Sequence, residues 1–196
     1  MKNLFEMSNE LSFLNSYNRN SNNNKANYLY RISEIINKYM KIVFGWKKSQ
    51  VYFVLDENLN FIVNENTNNI EELNRSKFRF NLNKNIKFHK FDEFKILTKQ
   101  IDSTSICGQT YLYKTSKIIL NLEDVSGINS EIDFNENNFI SIGLKDLNGN
   151  IFAVCQTCIF KQQFIREENM FKNKSLSEEF EFLVDIFSNL VNKYIY

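Results

Sequence analysis

The chain has 196 residues, enough for one core with terminal extensions and too few for two full domains. Its 24 basic and 23 acidic residues nearly cancel, which excludes the summed positive field that non-specific nucleic-acid binding needs. Hydrophobic residues make up 43%, with 19 Phe and 9 Tyr, so a packed core is expected despite a mean hydropathy of −0.39.

No run approaches the ~20 apolar residues that cross a bilayer, and Met1-Lys2-Asn3 leads into an amphipathic segment rather than a signal core. No membrane contact is expected. Cys107, Cys155 and Cys158 form an odd set in a chain able to build its own core, which fits a reducing compartment and a cytoplasmic location.

Leu4, Met7, Leu11 and Leu14 recur at helical spacing and predict a short amphipathic helix. Ser16 to Asn27 is polar and Asn-rich and predicts a loop, so residues 1–27 read as a helix plus linker ahead of one domain over 28–196. A second helix is predicted from Tyr28 to Phe44, on the stripe Ile32, Ile36 and Tyr39, with Gly45 as its stop. Val51 to Leu55 and Leu59 to Val63 flank a polar turn and predict a β-hairpin. A third strand is expected at Phe78, Phe80 and Leu82, which alternate with polar residues.

Phe91, Phe94, Leu97 and Ile101 carry helical spacing, as does Ser105 to Tyr113. Three strands follow, at Lys117–Asn121, Phe139–Leu144 and Ile151–Phe160. Asn148-Gly149 predicts a tight turn that makes the last two antiparallel neighbours. Ser175-Leu176-Ser177-Glu178 has the form of a capping box and predicts the start of a long final helix, with Phe180, Leu183, Phe187, Leu190 and Tyr194 on its apolar stripe.

Cys155-Gln156-Thr157-Cys158 is spaced for a metal or dithiol site. On a strand, however, residues three apart point to opposite faces, so the sulfurs are expected to diverge. His89 stands among lysines with no Asp partner near it in sequence, and Trp46 reads as a packing residue. No metal, no cofactor and no catalytic residue are expected.

Three segments carry a family resemblance: Ser105 to Lys117, Ile118 to Asp124 and, above all, Ile140 to Gln156. The last includes an apolar strand, the Asp146-Leu147-Asn148-Gly149 turn and an Ala153-Val154 step. Together with the element order they resemble the GAF family, whose relatives in general shape include PAS and longin-like domains. The resemblance implies an α+β fold, an antiparallel sheet of about six strands flanked by N- and C-terminal helices.

Some GAF domains bind cyclic nucleotides through an Asn-Lys pair followed by a Phe and an Asp-Glu pair. Those positions fall here on Ile159 and Phe160, and only Phe164, Glu167 and Glu168 echo the remainder. The departure argues against cyclic-nucleotide binding. A pocket on the sheet face away from the terminal helices would draw on Ser103, Thr104, Ser105, Cys107 and Gly108, with free helix-start amides as anion donors.

With no catalytic set, and with long apolar stripes on its terminal helices, the GAF-like chain is expected to be a non-enzymatic regulatory or protein-interaction module, a subunit that meets a protein partner or a second copy. Its interface candidates lie on the terminal helices: Ile32, Ile36, Tyr39, Phe180, Leu183, Phe187, Leu190 and Tyr194. The alternatives are a small-molecule sensor using the pocket and a structural subunit of a cytoskeletal or ciliary assembly.

Overall fold

The computed structural model describes residues 2–17, 22–45, 48–64, 87–91, 94–119, 121–128, 133, 139–158, 171–172, 175–176 and 178–195, some by backbone alone. Helix α1 spans Lys2–Tyr17 and α2 spans Asn22–Phe44. The strands are β1 Lys48–Leu55, β2 Asn58–Asn64, β3 Lys87–Phe91, β4 Phe94–Gln100, β5 Lys117–Ile119, β6 Phe139–Lys145 and β7 Ile151–Cys158. Helix α3, Ile106–Tyr113, lies between β4 and β5. A two-residue ribbon, β8 Phe171–Lys172 with β9 Ser175–Leu176, precedes α4, Glu178–Asn192.

β1 to β7 form a single antiparallel sheet in the order β3-β4-β2-β1-β7-β6-β5. The fold class is the expected α+β, with seven strands described rather than about six. The first hairpin forms because Asp56 and Glu57 both adopt positive φ, 49° and 60°, the geometry of the two-residue turn whose twist matches the strands. The β6–β7 turn uses Gly149 at φ 77°, while the Asp146 carboxylate accepts from the amides of Asn148 and Asn150, each at 2.8 Å. Those two amides hold the Asp146 carboxyl below its ordinary value.

Alternation along the strands divides the core. Val51, Phe53, Ile140, Ile142, Ala153 and Cys155 face the helices α2 and α4, where they meet Ile32, Ile36, Tyr39, Phe187 and Val191. Met7 and Leu11 of α1 are fully buried in the same cluster, so this helix belongs to the core. Tyr52 and Val154 face the opposite way, towards Cys107 of α3.

Several sequence expectations are corrected. The helical spacing of Phe91, Phe94, Leu97 and Ile101 is spread over two antiparallel strands, β3 and β4. Helix α2 starts at Asn22, inside the expected linker, and its first turns bury Ala26 and Leu29. Ser175 and Leu176 lie in β9, and α4 begins only at Glu178, so the capping-box reading fails there. The expected strand at Phe78 to Leu82, Trp46, and the segment Ile159 to Glu168 lie outside the described residues.

Candidate functional site

Helix α3 is built on the sheet face opposite α2 and α4, and its N-terminus is closed by two side chains. An α-helix begins with amides that lack intrahelical acceptors. Here the Ser105 hydroxyl accepts from Gly108 N at 3.0 Å, and Asp133 accepts from Ile106 N at 2.8 Å and Cys107 N at 3.0 Å. Asp133 is wholly buried, and its Oδ1 also takes a hydrogen bond from Gln156 Nε2 at 2.7 Å. The helix-start amides expected to await an anion are therefore already occupied by the chain's own carboxylate, which the helix dipole favours at this end.

Gly108 lies so close to the preceding turn that an added Cβ would stand 1.8 Å from the Asp102 carbonyl oxygen. Only glycine lets the helix start pass that backbone. Asp102 organises the turn itself: its Oδ1 accepts from the Thr104 amide at 2.8 Å and the Thr104 hydroxyl at 2.6 Å.

Beneath α3 the sheet is polar at its centre. Gln156 of β7 stands opposite Gln50 of β1 on one side and Ser141 of β6 on the other, and all three are buried. Thr110 Oγ1 lies 2.8 Å from both Ile106 O and Ser141 Oγ, while Tyr52 donates its hydroxyl to Gln50 Oε1 at 3.1 Å. Buried polar groups are tolerated when they are hydrogen-bonded, and these tie α3 to β6 through Ser141 and to β7 through Asp133 and Gln156.

Of the expected pocket residues, Ser103 and Thr104 are exposed, whereas Ser105, Cys107 and Gly108 are buried in the helix start. Asp133 was not anticipated, because its partners are more than 20 residues away along the chain. The available signal was an acidic residue set between Ile132 and Phe134. Cys155 and Cys158 diverge as their spacing predicts, Cys155 joining the helix-side cluster and Cys158 the cluster around Ile106 and Phe139. Burial pushes the Cys155 thiol up to about 12, which leaves almost no thiolate at neutral pH. His89 pairs with Ile96 across β3 and β4, and its side chain is outside the described set. Among the described residues no group of His, Cys, Asp and Glu could hold a metal ion, and no helix is long and apolar enough to cross a membrane.

The interface candidates fare unevenly. Ile32, Ile36, Tyr39 and Phe187 are at most 1% exposed and are spent on the chain's own core, so they offer no outer surface. Leu190 and Tyr194 are half-buried, Leu183 is exposed, and the Phe180 side chain lies outside the described residues. Among the other large apolar groups that face outward are Phe5 and Phe13 of α1, Ile42 of α2 and Phe182 of α4. Phe13 lines a groove of about 530 Å³ between α1 and α2, together with Leu14, Arg31 and Ile35. At its edge Glu10 pairs with Lys38 and accepts from the Tyr39 hydroxyl at 2.9 Å.

No protein-family model matches the chain, and no curated protein is similar enough to match it. Solved structures are similar in fold. A GAF domain structure aligns over 100% of this chain and 88% of its own, at 11% identity and a TM-score of 0.52. The GAF domain of an Acinetobacter phosphoenolpyruvate-protein phosphotransferase aligns over 98% and 92%, at 9% identity and a TM-score of 0.51. The chain thus has a GAF-like fold, as the resemblance of its closing hairpin implied.

The expectation that the chain is not an enzyme is corrected. It rested on finding no catalytic residue in the sequence, whereas the structures of similar fold include a free methionine-R-sulfoxide reductase from Neisseria meningitidis in complex with its substrate. That enzyme aligns over 98% of this chain and 85% of its own, at 10% identity and a TM-score of 0.48.

Proposed function

We propose that this chain is a GAF-like regulatory and interaction module that joins a partner subunit or a second copy through the outer side of its helices. The carrying observation is on α1. Met7 and Leu11 anchor one side of this helix in the core, while Phe5 and Phe13 on the other side are 69% and 67% exposed. Isolated exposed apolar residues are common, but two phenylalanines on one helix face, one of them lining a groove, form a surface suited to a protein contact.

The occupied start of α3 supports the same reading, because the pocket's most obvious anion donors are already committed to Asp133.

The test is the native mass of the full chain, purified from its source cell and measured by light scattering. A mass above the 23.4 kDa of one chain is expected, falling to it in a Phe5→Ser, Phe13→Ser variant with unchanged far-UV circular dichroism. A wild-type chain that is a lone monomer with nothing copurifying would overturn the proposal.

A further inference from the structure

The turn that joins β6 to β7 is closed by bonds within itself. The Asp146 carboxylate accepts from the amides of Asn148 and Asn150, its carbonyl accepts from Gly149 N at 3.0 Å, and its own amide donates to Asn150 O at 2.8 Å. Leu147, Asn148 and Asn150 are exposed, and a Cβ placed on Gly149 would meet nothing within 4 Å. A surface turn held by local bonds opens at far lower free energy than the strands it joins.

Asn148 is the one asparagine of the chain that is followed by glycine. A side chain on the following residue shields its amide nitrogen from the asparagine carboxamide, and glycine has none. While the turn is closed, the Gly149 N–H is committed to Asp146 O. Opening releases it. The Gly149 nitrogen gives its proton to solvent hydroxide, forms a bond to Asn148 Cγ and expels the side-chain nitrogen as ammonia, leaving a cyclic succinimide. Water then adds to either ring carbonyl, which gives aspartate or, with the backbone rerouted through the former side chain, isoaspartate.

We propose that Asn148 is a site of spontaneous modification, whose conversion to isoaspartate is gated by the Asp146 turn and loosens the β6–β7 hairpin. Isoaspartate adds a methylene to a backbone whose bonds between Asp146 and Asn150 are set for a chain without it. The new carboxylate also stands two residues from that of Asp146, which repels it. Both strands of the hairpin are buried, so strain at the turn reaches the core. None of these residues belongs to the helical surface proposed above, and either proposal can fail without the other.

The full chain, kept folded at neutral pH, is sampled over time and digested, and fragmentation mass spectrometry separates aspartate from isoaspartate at each position. Asn150 is the internal control, exposed in the same turn but followed by the β-branched Ile151. Acid is expected at position 148 well before position 150, with isoaspartate as the larger product. Asp146→Ala, which removes the acceptor of two amides, should speed the conversion roughly 10-fold or more. The wild type unfolded in urea should likewise convert faster than the folded chain, a comparison that stands even if Asp146→Ala does not fold. The isoaspartyl fraction should melt below Asn148→Asp, which carries the charge without the added methylene.

A folded chain that gains acid no faster at position 148 than at 150 would overturn the site. Equal rates in the folded and urea-unfolded chain would overturn the gating by the turn, and an isoaspartyl fraction that melts with Asn148→Asp would overturn the loosening.

Discussion

The two faces of the sheet are closed by different means, one by apolar packing and the other by apolar packing around a polar centre. Towards α2 and α4 the strands present Val51, Phe53, Ile140, Ile142 and Cys155, and the helices answer with Ile32, Ile36, Met40, Phe187 and Val191. This face is held by apolar burial, which is non-directional and tolerates repacking. Towards α3 the same strands present Gln50, Ser141 and Gln156 between two smaller apolar clusters, and the covering element is tied down by the hydrogen bond between Thr110 and Ser141 and by those that converge on Asp133. The contrast separates a side that supplies stability from one that fixes a single arrangement, since a buried polar network rewards one geometry and penalises its neighbours.

The largest expected effect tests the apolar side. Phe187 is fully buried between α4 and the sheet, so Phe187→Ala should cost about 3–5 kcal/mol in urea unfolding by removing the ring and leaving a cavity. A smaller loss on the polar side is expected from Asp133→Ala, about 2–4 kcal/mol, because it strands the amides of Ile106 and Cys107 and the side chain of Gln156.

The two losses should differ in kind. Phe187→Ala should lower amide protection throughout the sheet, whereas Asp133→Ala should lower it first in α3. Asp133→Asn should fall between Asp133→Ala and wild type, since its amide nitrogen must face a donor. If Asp133→Ala left α3 as protected as before, the contrast between the faces would collapse.

The apolar side was legible in the sequence because its signals are local and periodic. The stripe Ile32, Ile36 and Tyr39 and the runs that became β1, β2, β6 and β7 predicted which residues would be buried. The same reasoning failed where periodicity is ambiguous. Phe91, Phe94 and Leu97 match a helical stripe only because Asp92 and Glu93 separate two strands, which restarts the count. Ser175 and Glu178 have capping-box spacing, but the pairing of Ser175 with Lys172 draws the serine into a ribbon.

The polar side was legible only in part. Ser105 is an N-cap residue with a recognisable local role, accepting from Gly108 N three residues on. Asp133 takes its meaning from chain reversal, which no short window records. Cys155 and Cys158 show the converse: two faces of one strand follow from alternation alone, and the divergence of the thiols was readable in advance.

The smallest expected effect refines the apolar side at its rim, where α1 is joined to α2 by charge as well as packing. Burial works against ionising Glu10, but hydrogen bonds from Lys38 and Tyr39 outweigh it and hold the carboxyl below its ordinary 4.5. A depressed carboxylate pKa contributes stability that is present above the unfolded value and lost as pH falls through the folded one. The pair is well exposed, 50% at Lys38 and 39% at Glu10, so solvent limits its worth to a few tenths of a kcal/mol. Acidification from pH 6 to below 4 should therefore lower amide protection in α1 slightly more in the wild type than in Glu10→Gln, which has no charge to lose. If the two chains respond identically across that window, the Glu10 pair adds nothing to the apolar packing that holds α1.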